Sequence, residues 1–539
     1  MNARMGVSVQ PIRGGPAYIF RNEMFNQEDK PLKVHNDPVG LVVAHNTSVK
    51  LGNAMHVFLL NMPRIEFAAM IPKGDIVTLC LLNTMPARAA EKPNVVLIVC
   101  DDLNDFVTGM EGHPQARTPN IEKLAESGVS FRRAYCNVPV CAPSRSSFMT
   151  GIYAHTSRNM HFKNWRENRV LANCMTLSEY FRANGYHAAG SGKVMHHVHA
   201  DLWHEYKYKP DYGPFVFDGN ERVGHPSVPE PFRSIGAVDG SFAPLSDLPY
   251  GPNPGGNKGW IYGTWGKVEP MRYNSPTDRD PTPDERNAAW AAQRIGQFAK
   301  QSDGKPFFLA VGFIRPHTPL HVPTRFFDMF PKDTLKLPVI KPGDAEDTHY
   351  ADVFHPEIKG LKYFRLLKES YPSLDDGIKA FLQAYLASIA AVDECIGQVV
   401  DAVDRAGLAD NTIIVLTSDH GWNMCEKDYL FKNSLWEEST RVPLVIRPPG
   451  GRDGPEARRL ERLLEDHVPI HAIPDVVAGP GHRAEPHVVL DVEVGVVDPH
   501  RCALRVRHLH HLLAEARHPV HPATDVGAQI VDANASVIG

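Results

Sequence analysis

Apolar residues in the middle of the chain follow two patterns, unbroken runs and runs at helical spacing. Val95–Cys100 is an unbroken apolar run, and Thr412–Thr417 repeats this pattern with a threonine at each end, which is typical of strands buried on both faces. Residues 376–407 instead place apolar side chains three or four positions apart, which predicts a long amphipathic helix. This alternation predicts an α/β domain over residues 91–450, with a large, mostly parallel sheet flanked by helices.

Shorter elements fit the same plan. Thr118–Val129 predicts a helix with a proline in its first turn and a glycine at its end, and Met175–Gly185 predicts a second helix. Phe307–Phe313 predicts a further strand. Residues 205–285 are rich in Gly, Pro, Asp and Tyr and show little periodicity, so we expect a long loop region that faces the substrate.

The N-terminal extension, residues 1–90, has no periodic pattern that connects it to the sheet. Within it, residues 70–90 contain a lysine, a short apolar run and the sequence Ala-Arg-Ala-Ala. This order resembles a signal peptide with its cleavage site, although it lies well inside the chain. The alternative is a short strand followed by a linker.

The C-terminal region, residues 451–539, has an atypical composition. The chain contains no aromatic residue after Trp436 and no lysine after Lys432, and ten of its 27 histidines lie in this region. Because a natural core normally uses aromatic side chains, we expect this region to be read from a shifted frame or to be disordered. The alternative is a small Val-rich β subdomain.

Composition argues against a nucleic-acid-binding protein, a membrane-spanning protein and a disulfide-rich protein. The net charge of −5 among 539 residues gives no basic excess for nucleic acid. No run reaches the roughly 18 apolar residues that a membrane span needs. Eight cysteines in a chain of this length do not suggest a dense disulfide framework.

Acidic residues follow both of the predicted buried strands. Asp101 and Asp102 end the first strand, and Asp419 and His420 follow the second. If the two strands are neighbours, three carboxylates and an imidazole converge at the carboxyl edge of the sheet. Such a group would repel itself without a cation, and its hard oxygen ligands favour Ca²⁺, with Mg²⁺ as the alternative.

A five-residue motif gives the most specific signal. Cys141-Ala-Pro-Ser-Arg145 matches the pattern Cys-x-Pro-Ser-Arg, which is the signature of type I sulfatases. The resemblance covers residues 91–450 and is closest to the iduronate-2-sulfatase-like branch. It is also carried by Lys92–Leu103, Thr118–Ala125, Gly192–His196, Arg315–Leu320 and Ser418–Lys432.

The resemblance implies an alkaline-phosphatase-like fold and a set of site residues. A maturing enzyme would convert Cys141 to formylglycine, which would bind the metal with Asp101, Asp102, Asp419 and His420. Many family members carry Asn where this chain has His420, and the histidine fits the iduronate-2-sulfatase-like branch. The remaining catalytic residues that the resemblance implies are Arg145 and Lys193 beside the formylglycine, His196 as its proton acceptor, and His317 and Lys432 at the sulfate.

This chemistry has a physical basis. A hydrated aldehyde has two hydroxyl groups, so after one is sulfated, deprotonation of the other can release the sulfate. A serine would form a stable ester instead. A metal, Lys and Arg would stabilise the negative charge that spreads in the transition state.

Two other classes of function stay open at this point. A phosphatase or phosphodiesterase of the same fold would typically use Ser or Thr as nucleophile, and a non-catalytic protein would keep Cys141 unmatured. The branch resemblance implies a sulfated small molecule or glycan as substrate, in particular a uronate within a polysaccharide. The family further implies a secreted or periplasmic location.

Overall fold

The computed structural model describes residues 92–458, apart from 249–257, 264–266, 302–303, 350–352, 453 and 455–456; outside this range it describes only the backbone of short strands. The chain divides into two units, 1–89 and 90–539. The first unit contains seven short strands: Val7–Val9, Ala17–Phe20, Glu23–Phe25, Leu32–Val34, Leu41–Ala44, Thr47–Val49 and Ile65–Ala68. Residues 70–90 lie outside the described residues, so the signal-like segment stays a prediction.

The second unit is built on a mixed sheet. Its strands are Asn94–Asp101 (β1), Val129–Tyr135 (β2), His187–Gly192 (β3), Glu205–Tyr206 (β4), Phe307–Pro316 (β5), Thr412–Ser418 (β6) and Arg441–Arg447 (β7). Their spatial order is β4-β3-β5-β1-β6-β7-β2. Neighbours are parallel except at β7, which is antiparallel to both β6 and β2. The predicted mostly parallel sheet is therefore confirmed.

A hairpin extends this sheet beyond β2. Its strands are Leu490–Asp498 and Arg501–His508, and Leu490 pairs with Ala134 of β2. Most of residues 459–539 lie outside the described residues. Both interpretations of the C-terminal region therefore stay open.

Helices cover both faces of the sheet. The longer ones are Pro119–Glu126 (α1), Cys141–Thr150 (α2), Leu177–Ala183 (α3), Pro283–Phe298 (α4), Lys359–Ser370 (α5) and Leu374–Arg405 (α6). Single helical turns occur at Ala154–Ser157, Thr324–Phe327 and Glu437–Thr440. Within the described ranges, no helix has both the length and the apolar character of a membrane span.

The central strand β1 shows why its sequence is continuously apolar. Alternate side chains point to opposite faces, so Val96 and Ile98 enter one hydrophobic core while Val95 and Leu97 enter the other. Helices α4 and α6 pack on the first of these cores. A strand with helices on both faces has no face towards solvent, so all of its side chains can be apolar. The unbroken apolar run of β1 predicts this arrangement.

The loop prediction for residues 205–285 is wrong in part. Phe215–Phe217 pairs with both Arg222–Val223 and Gly259–Ile261, and Phe242–Pro244 pairs with Leu320–Val322. A separate small core supports the first three of these strands; it includes Val216, Leu245, Trp260, Met271 and Tyr273. Strands of two or three residues are too short to show a periodic pattern, so the sequence did not reveal them.

Candidate active site

Four neighbouring parallel strands, β3, β5, β1 and β6, end at one edge of the sheet. The strand register places Pro316 opposite Asp101 and Ser418 opposite Cys100. The residues that follow these strand ends therefore converge, as predicted from the two acidic clusters. They are Lys193 after β3, His317 after β5, Asp102 after β1, and Asp419 and His420 after β6.

Two glycines allow β3 to approach β5 closely enough to place Lys193. Gly192 has a φ of +78°, a conformation that favours glycine. A Cβ on Gly312 would overlap the backbone carbonyl carbon of Lys193. With only hydrogen at these positions, the Lys193 amide donates to Gly312 O at 2.8 Å, and the lysine side chain lies at the end of β1.

Asp102 has an unusual backbone conformation, with a φ of +64°. Such conformations cost free energy and persist where surrounding contacts hold them, often at functional sites. Here the Asp102 amide donates to Asp419 Oδ1 at 3.2 Å, and Tyr385 Oη donates to Asp102 O at 2.6 Å. A strand end and helix α6 together fix the direction of this carboxylate.

Helix α2 places Cys141 and Arg145 at the site. Cys141 is its first residue and Arg145 lies four positions later, so both occupy one face of the helix. Arg145 Nε donates to Asp419 Oδ2 at 2.8 Å, and its Nη2 lies 3.6 Å from Asp101 Oδ1. Ser144 Oγ donates to Asp419 O at 2.7 Å, which fixes the helix start against β6.

A compact ligand set forms around the cysteine. One ligand atom from each of Asp101, Asp102, Cys141 and His420 lies within 4.8 Å of the other three, and all four residues are buried. His420 Nε2 lies 3.2 Å from Cys141 Sγ. Among the described residues, Asp101 Oδ1 is one of the buried oxygens that lack a hydrogen-bond partner. This set fits a single divalent cation, to which Asp101 Oδ1 would be directed.

Asp419 lies beside this set, and donors of the protein occupy its carboxylate. Oδ1 accepts from the amides of Asp102 and His420, and Oδ2 accepts from Arg145. The structure thus brings Asp419 to the site, next to the ligand set of Asp101, Asp102, Cys141 and His420. Its role as a direct metal ligand stays a prediction.

Two lysines neutralise the two adjacent carboxylates. Lys193 Nζ contacts Asp101 Oδ2, and Lys432 Nζ lies 2.8 Å from Asp102 Oδ1 and 3.3 Å from Cys141 Sγ. Burial alone would raise the pKa of Asp101, but the charges of Lys193, Arg145 and Lys432 outweigh it and hold that pKa well below its usual range. For Asp102, burial outweighs Lys432 and raises the pKa to about 8. Further positive charge beside Asp102 would keep it ionised.

His317 presents one ring nitrogen to the cluster. Its Nδ1 lies 2.5 Å from Thr318 O, an acceptor, so Nδ1 carries the hydrogen and Nε2 has a free lone pair. Nε2 lies 3.9 Å from Asp102 Oδ2. Burial, reinforced by the charge of Lys432, holds the His317 pKa well below its usual range, so the ring is neutral.

His196 lies at the side of the cluster. Burial and then Lys193 lower its pKa to about 3, so this ring is also neutral. Its centroid lies 5.1 Å from the ring of Phe162 and 4.9 Å from that of His197. Within the described part of the chain, His196 Nδ1 is among the buried atoms without a hydrogen-bond partner.

Sequence reasoning missed three residues that position this site. Tyr212 places its ring 4.7 Å from Lys193 Nζ and packs edge-on against His317. Asp239 accepts from Thr318 Oγ1 at 2.8 Å and so supports the segment that carries His317. Tyr385 lies within the predicted helix 376–407, and its hydroxyl donates to Asp102 O. No local motif marks these residues, because their roles depend on contacts with residues 19 to 283 positions away in the chain.

Comparisons with known proteins agree with this geometry. Residues 93–463 match the protein family described as Sulfatase. A Formosa agariphila sulfatase is 33% identical over 390 residues, which cover 70% of this chain and 68% of that protein. Iduronate 2-sulfatase of Mus musculus is 31% identical, covering 67% of this chain and 60% of that enzyme. This chain therefore spans less than two thirds of the mouse enzyme.

Among solved structures, the phosphonate monoester hydrolase of Agrobacterium radiobacter is similar over 67% of this chain and 68% of that one, with 22% identity and a TM-score of 0.46.

Proposed function

The chain belongs to the sulfatase family, whose members hydrolyse sulfuric esters, and we propose that it cleaves sulfate esters with Cys141 matured to formylglycine and a divalent metal beside it. The position of Cys141 Sγ carries this proposal. It lies 3.2 Å from His420 Nε2 and 3.3 Å from Lys432 Nζ, within the ligand set that includes Asp101 and Asp102. In the matured protein, oxygen atoms would stand at the place of this sulfur.

Asp101, Asp102 and His420 would hold the metal, with Asp419 beside them as a further candidate. When bound, the metal would supply positive charge that polarises the sulfate and the nucleophilic oxygen. The oxygen-rich donor set favours Ca²⁺, with Mg²⁺ as the alternative.

The cationic side chains would bind and orient the ester. Lys432 Nζ, close to Cys141 Sγ and itself buried, would donate to an oxygen of the sulfate. Arg145 and Lys193 would hold the nucleophilic group while neutralising Asp101 and Asp419. Such preorganised charges stabilise the transition state without needing to move.

The two neutral histidines suit proton transfer. His317 Nε2 has its lone pair towards the cluster and would accept a proton there once substrate is bound; only after this protonation could it donate to the leaving oxygen. His196 would accept the proton of the nucleophilic hydroxyl. Both rings begin neutral, which is the form that a base requires.

The chemistry of Cys141 itself disfavours the alternative of a thiol nucleophile. Burial, and then the charge of Asp101, raise the pKa of this thiol, so the reactive thiolate is scarce at neutral pH. An unmatured chain would therefore be a poor hydrolase. A maturing enzyme that oxidises Cys141 is accordingly part of the proposal.

The substrate is proposed to be a sulfated sugar or polysaccharide, and the location to be secreted or periplasmic. These points rest on similarity to sulfatases of which one is named for iduronate.

The test begins with mass spectrometry of the peptide that contains Cys141, after co-expression with a formylglycine-generating enzyme. We expect the mass of formylglycine, and turnover of 4-nitrophenyl sulfate over 4-nitrophenyl phosphate. Cys141→Ser should abolish multiple turnover, because serine lacks the second hydroxyl. Cys136→Ser, in the same segment, is the matched control and should remain active. Full turnover by Cys141→Ser, or a preference for the phosphate, would overturn the proposal.

A further inference from the structure

One exposed turn next to the site has no role in the chemistry above. It comprises Met160, His161, Phe162 and Lys163, all of them exposed. Phe162 is 53% exposed and Met160 is 47% exposed. Large apolar side chains with this much exposure, grouped within three positions, often mark a binding surface.

Buried anchors hold both ends of this turn. Before it, Asn159 Nδ2 donates to Ser146 Oγ at 3.1 Å, on helix α2 that begins with Cys141. After it, Trp165 Nε1 donates to His197 O at 3.3 Å. The turn is thus tied to the two segments that carry Cys141 and His196, and its position relative to the site is fixed.

Phe162 brings the turn to the edge of the site around Cys141. Its ring lies 5.1 Å from that of His196. The charges of Lys193, Asp101 and Arg145 in turn reach His196 and influence its pKa. The turn therefore lies next to the site, while half of the Phe162 side chain is open to solvent.

The positive charge of residues 158–164 favours an anionic ligand. Residues 158–164 contain Arg158, His161 and Lys163 but no acidic residue. Arg158 is exposed as well, and its φ of +57° turns the chain there. An exposed aromatic ring packs against the C–H face of a sugar, and flanking cations pair with carboxylate or sulfate groups.

We propose that Arg158 and the turn Met160–Lys163 form a subsite for a second, anionic sugar, adjacent to the one whose ester is cleaved. The natural substrate is then a polyanionic sulfated chain, and a small cationic ester would be disfavoured here. The inference rests on the proposed sulfatase activity and deepens it by naming the substrate class.

Binding of fluorescent dextran sulfate to the matured full-length protein tests the subsite. Phe162→Ala and the double variant Arg158→Ala/Lys163→Ala should each weaken binding at least about fivefold. The loss in the double variant should shrink at high salt, because the lost contacts are ionic. Phe162→Tyr should retain binding, and Lys300→Ala, an exposed lysine at the opposite edge of the sheet, is the matched control.

Two further probes identify the anion that is recognised. Neutral dextran should bind weakly to every form, and polygalacturonate shows whether a carboxylate can replace sulfate. Loss of binding of either polyanion in the variants supports the subsite. Unchanged binding of both, an equal loss in Lys300→Ala, or tight binding of neutral dextran would overturn it. Turnover of 4-nitrophenyl sulfate by the wild type is measured separately, so a failure of the proposed activity is distinguished from a failure of the subsite.

Discussion

Two buried polar clusters in the same domain are built in opposite ways. The first, the catalytic cluster, comprises Asp101, Asp102, Cys141, Asp419 and His420 with the cations around them. The second, the histidine cluster, comprises His225, Ser241 and His321, and ties the region 205–285 to the segment after β5. Both clusters are buried, but only the first contains charged groups.

In the histidine cluster, groups of the chain satisfy the central ring. His321 Nδ1 donates to Pro214 O at 2.7 Å, so its Nε2 can accept from Ser241 Oγ at 2.9 Å. In the catalytic cluster, by contrast, Asp101 Oδ1 is buried and receives no hydrogen bond from the described part of the chain, and burial raises the pKa of Asp102. In the histidine cluster, His225 Nε2 also lacks a partner among the described residues, but it belongs to a neutral ring. An unfilled acceptor on a buried charged group is the stronger indication of a ligand.

Removing a charge from the catalytic cluster should have the largest effect on activity, and so should show most clearly how the two clusters differ. We expect Asp101→Asn to lower kcat/KM for 4-nitrophenyl sulfate by at least about a thousandfold, because metal binding and charge balance are both lost. Elemental analysis should show that bound Ca²⁺ is lost with the activity.

Asp393→Asn is the matched control, since Asp393 is also buried but accepts from the amides of Asn120 and Ile121 at the start of α1. It should lower the free energy of unfolding by about 1–2 kcal/mol and leave kcat intact. If Asp101→Asn retained both metal and activity, the functional interpretation of the catalytic cluster would be wrong.

Loss of a cation from the catalytic cluster should have the next largest effect. Lys432→Met removes the ammonium 3.3 Å from Cys141 Sγ, and we expect kcat to fall about 10²- to 10³-fold, as for other preorganised donors. Lys427→Met, in the same loop, removes the ion pairs with Asp344 and Asp347 and the hydrogen bond to Asp344 O, all of them away from Cys141, and should keep its kcat. Equal losses in the two variants would show that the loop, and not the charge, is responsible.

The two clusters also differ in how far the sequence predicts them. The strand ends were predictable, because a continuous apolar run locates a buried parallel strand and ligands gather at its carboxyl end. The Cys-x-Pro-Ser-Arg motif added Cys141 and Arg145. Ser241 and His321, like Tyr212 and Asp239, had no such signal. His321 lies in a strand of three residues and Ser241 pairs with it, while the partner of His321 at Pro214 is 107 positions away.

Removing the central hydroxyl of the histidine cluster should change stability and not turnover. Ser241→Ala leaves His321 Nε2 and the His225 amide without their partner, which we expect to cost about 2 kcal/mol of unfolding free energy. Ser246→Ala, an exposed serine that pairs with Thr324, should cost less than about 0.5 kcal/mol. Chemical denaturation measures both values. A large loss of kcat in Ser241→Ala at full stability would contradict the assignment.

The smallest effect concerns the acid stability of the histidine cluster. Burial lowers the pKa of His225 to about 4, and burial with the charges of His225 and Arg315 holds the pKa of His321 well below its usual value. Between pH 6.5 and 4 the unfolded chain binds protons that the folded His225 does not, so folding stability is complete above pH 6.5 and decreases as the pH falls. From pH 7 to pH 6 the expected loss is about 0.7 kcal/mol for each such histidine.

Other groups titrate in the same range, so a variant must isolate this contribution. His225→Asn keeps an acceptor in place of Nδ1, which accepts from the Ser227 amide, but cannot take up a proton. The wild type should therefore lose more unfolding free energy than His225→Asn over this pH interval, by about the contribution of one histidine. Parallel stability curves for the two proteins would mean that the folded cluster takes up a proton as readily as the unfolded chain. The polar groups of the histidine cluster would then be accessible to water. The two clusters would differ only in that the catalytic cluster contains charged groups.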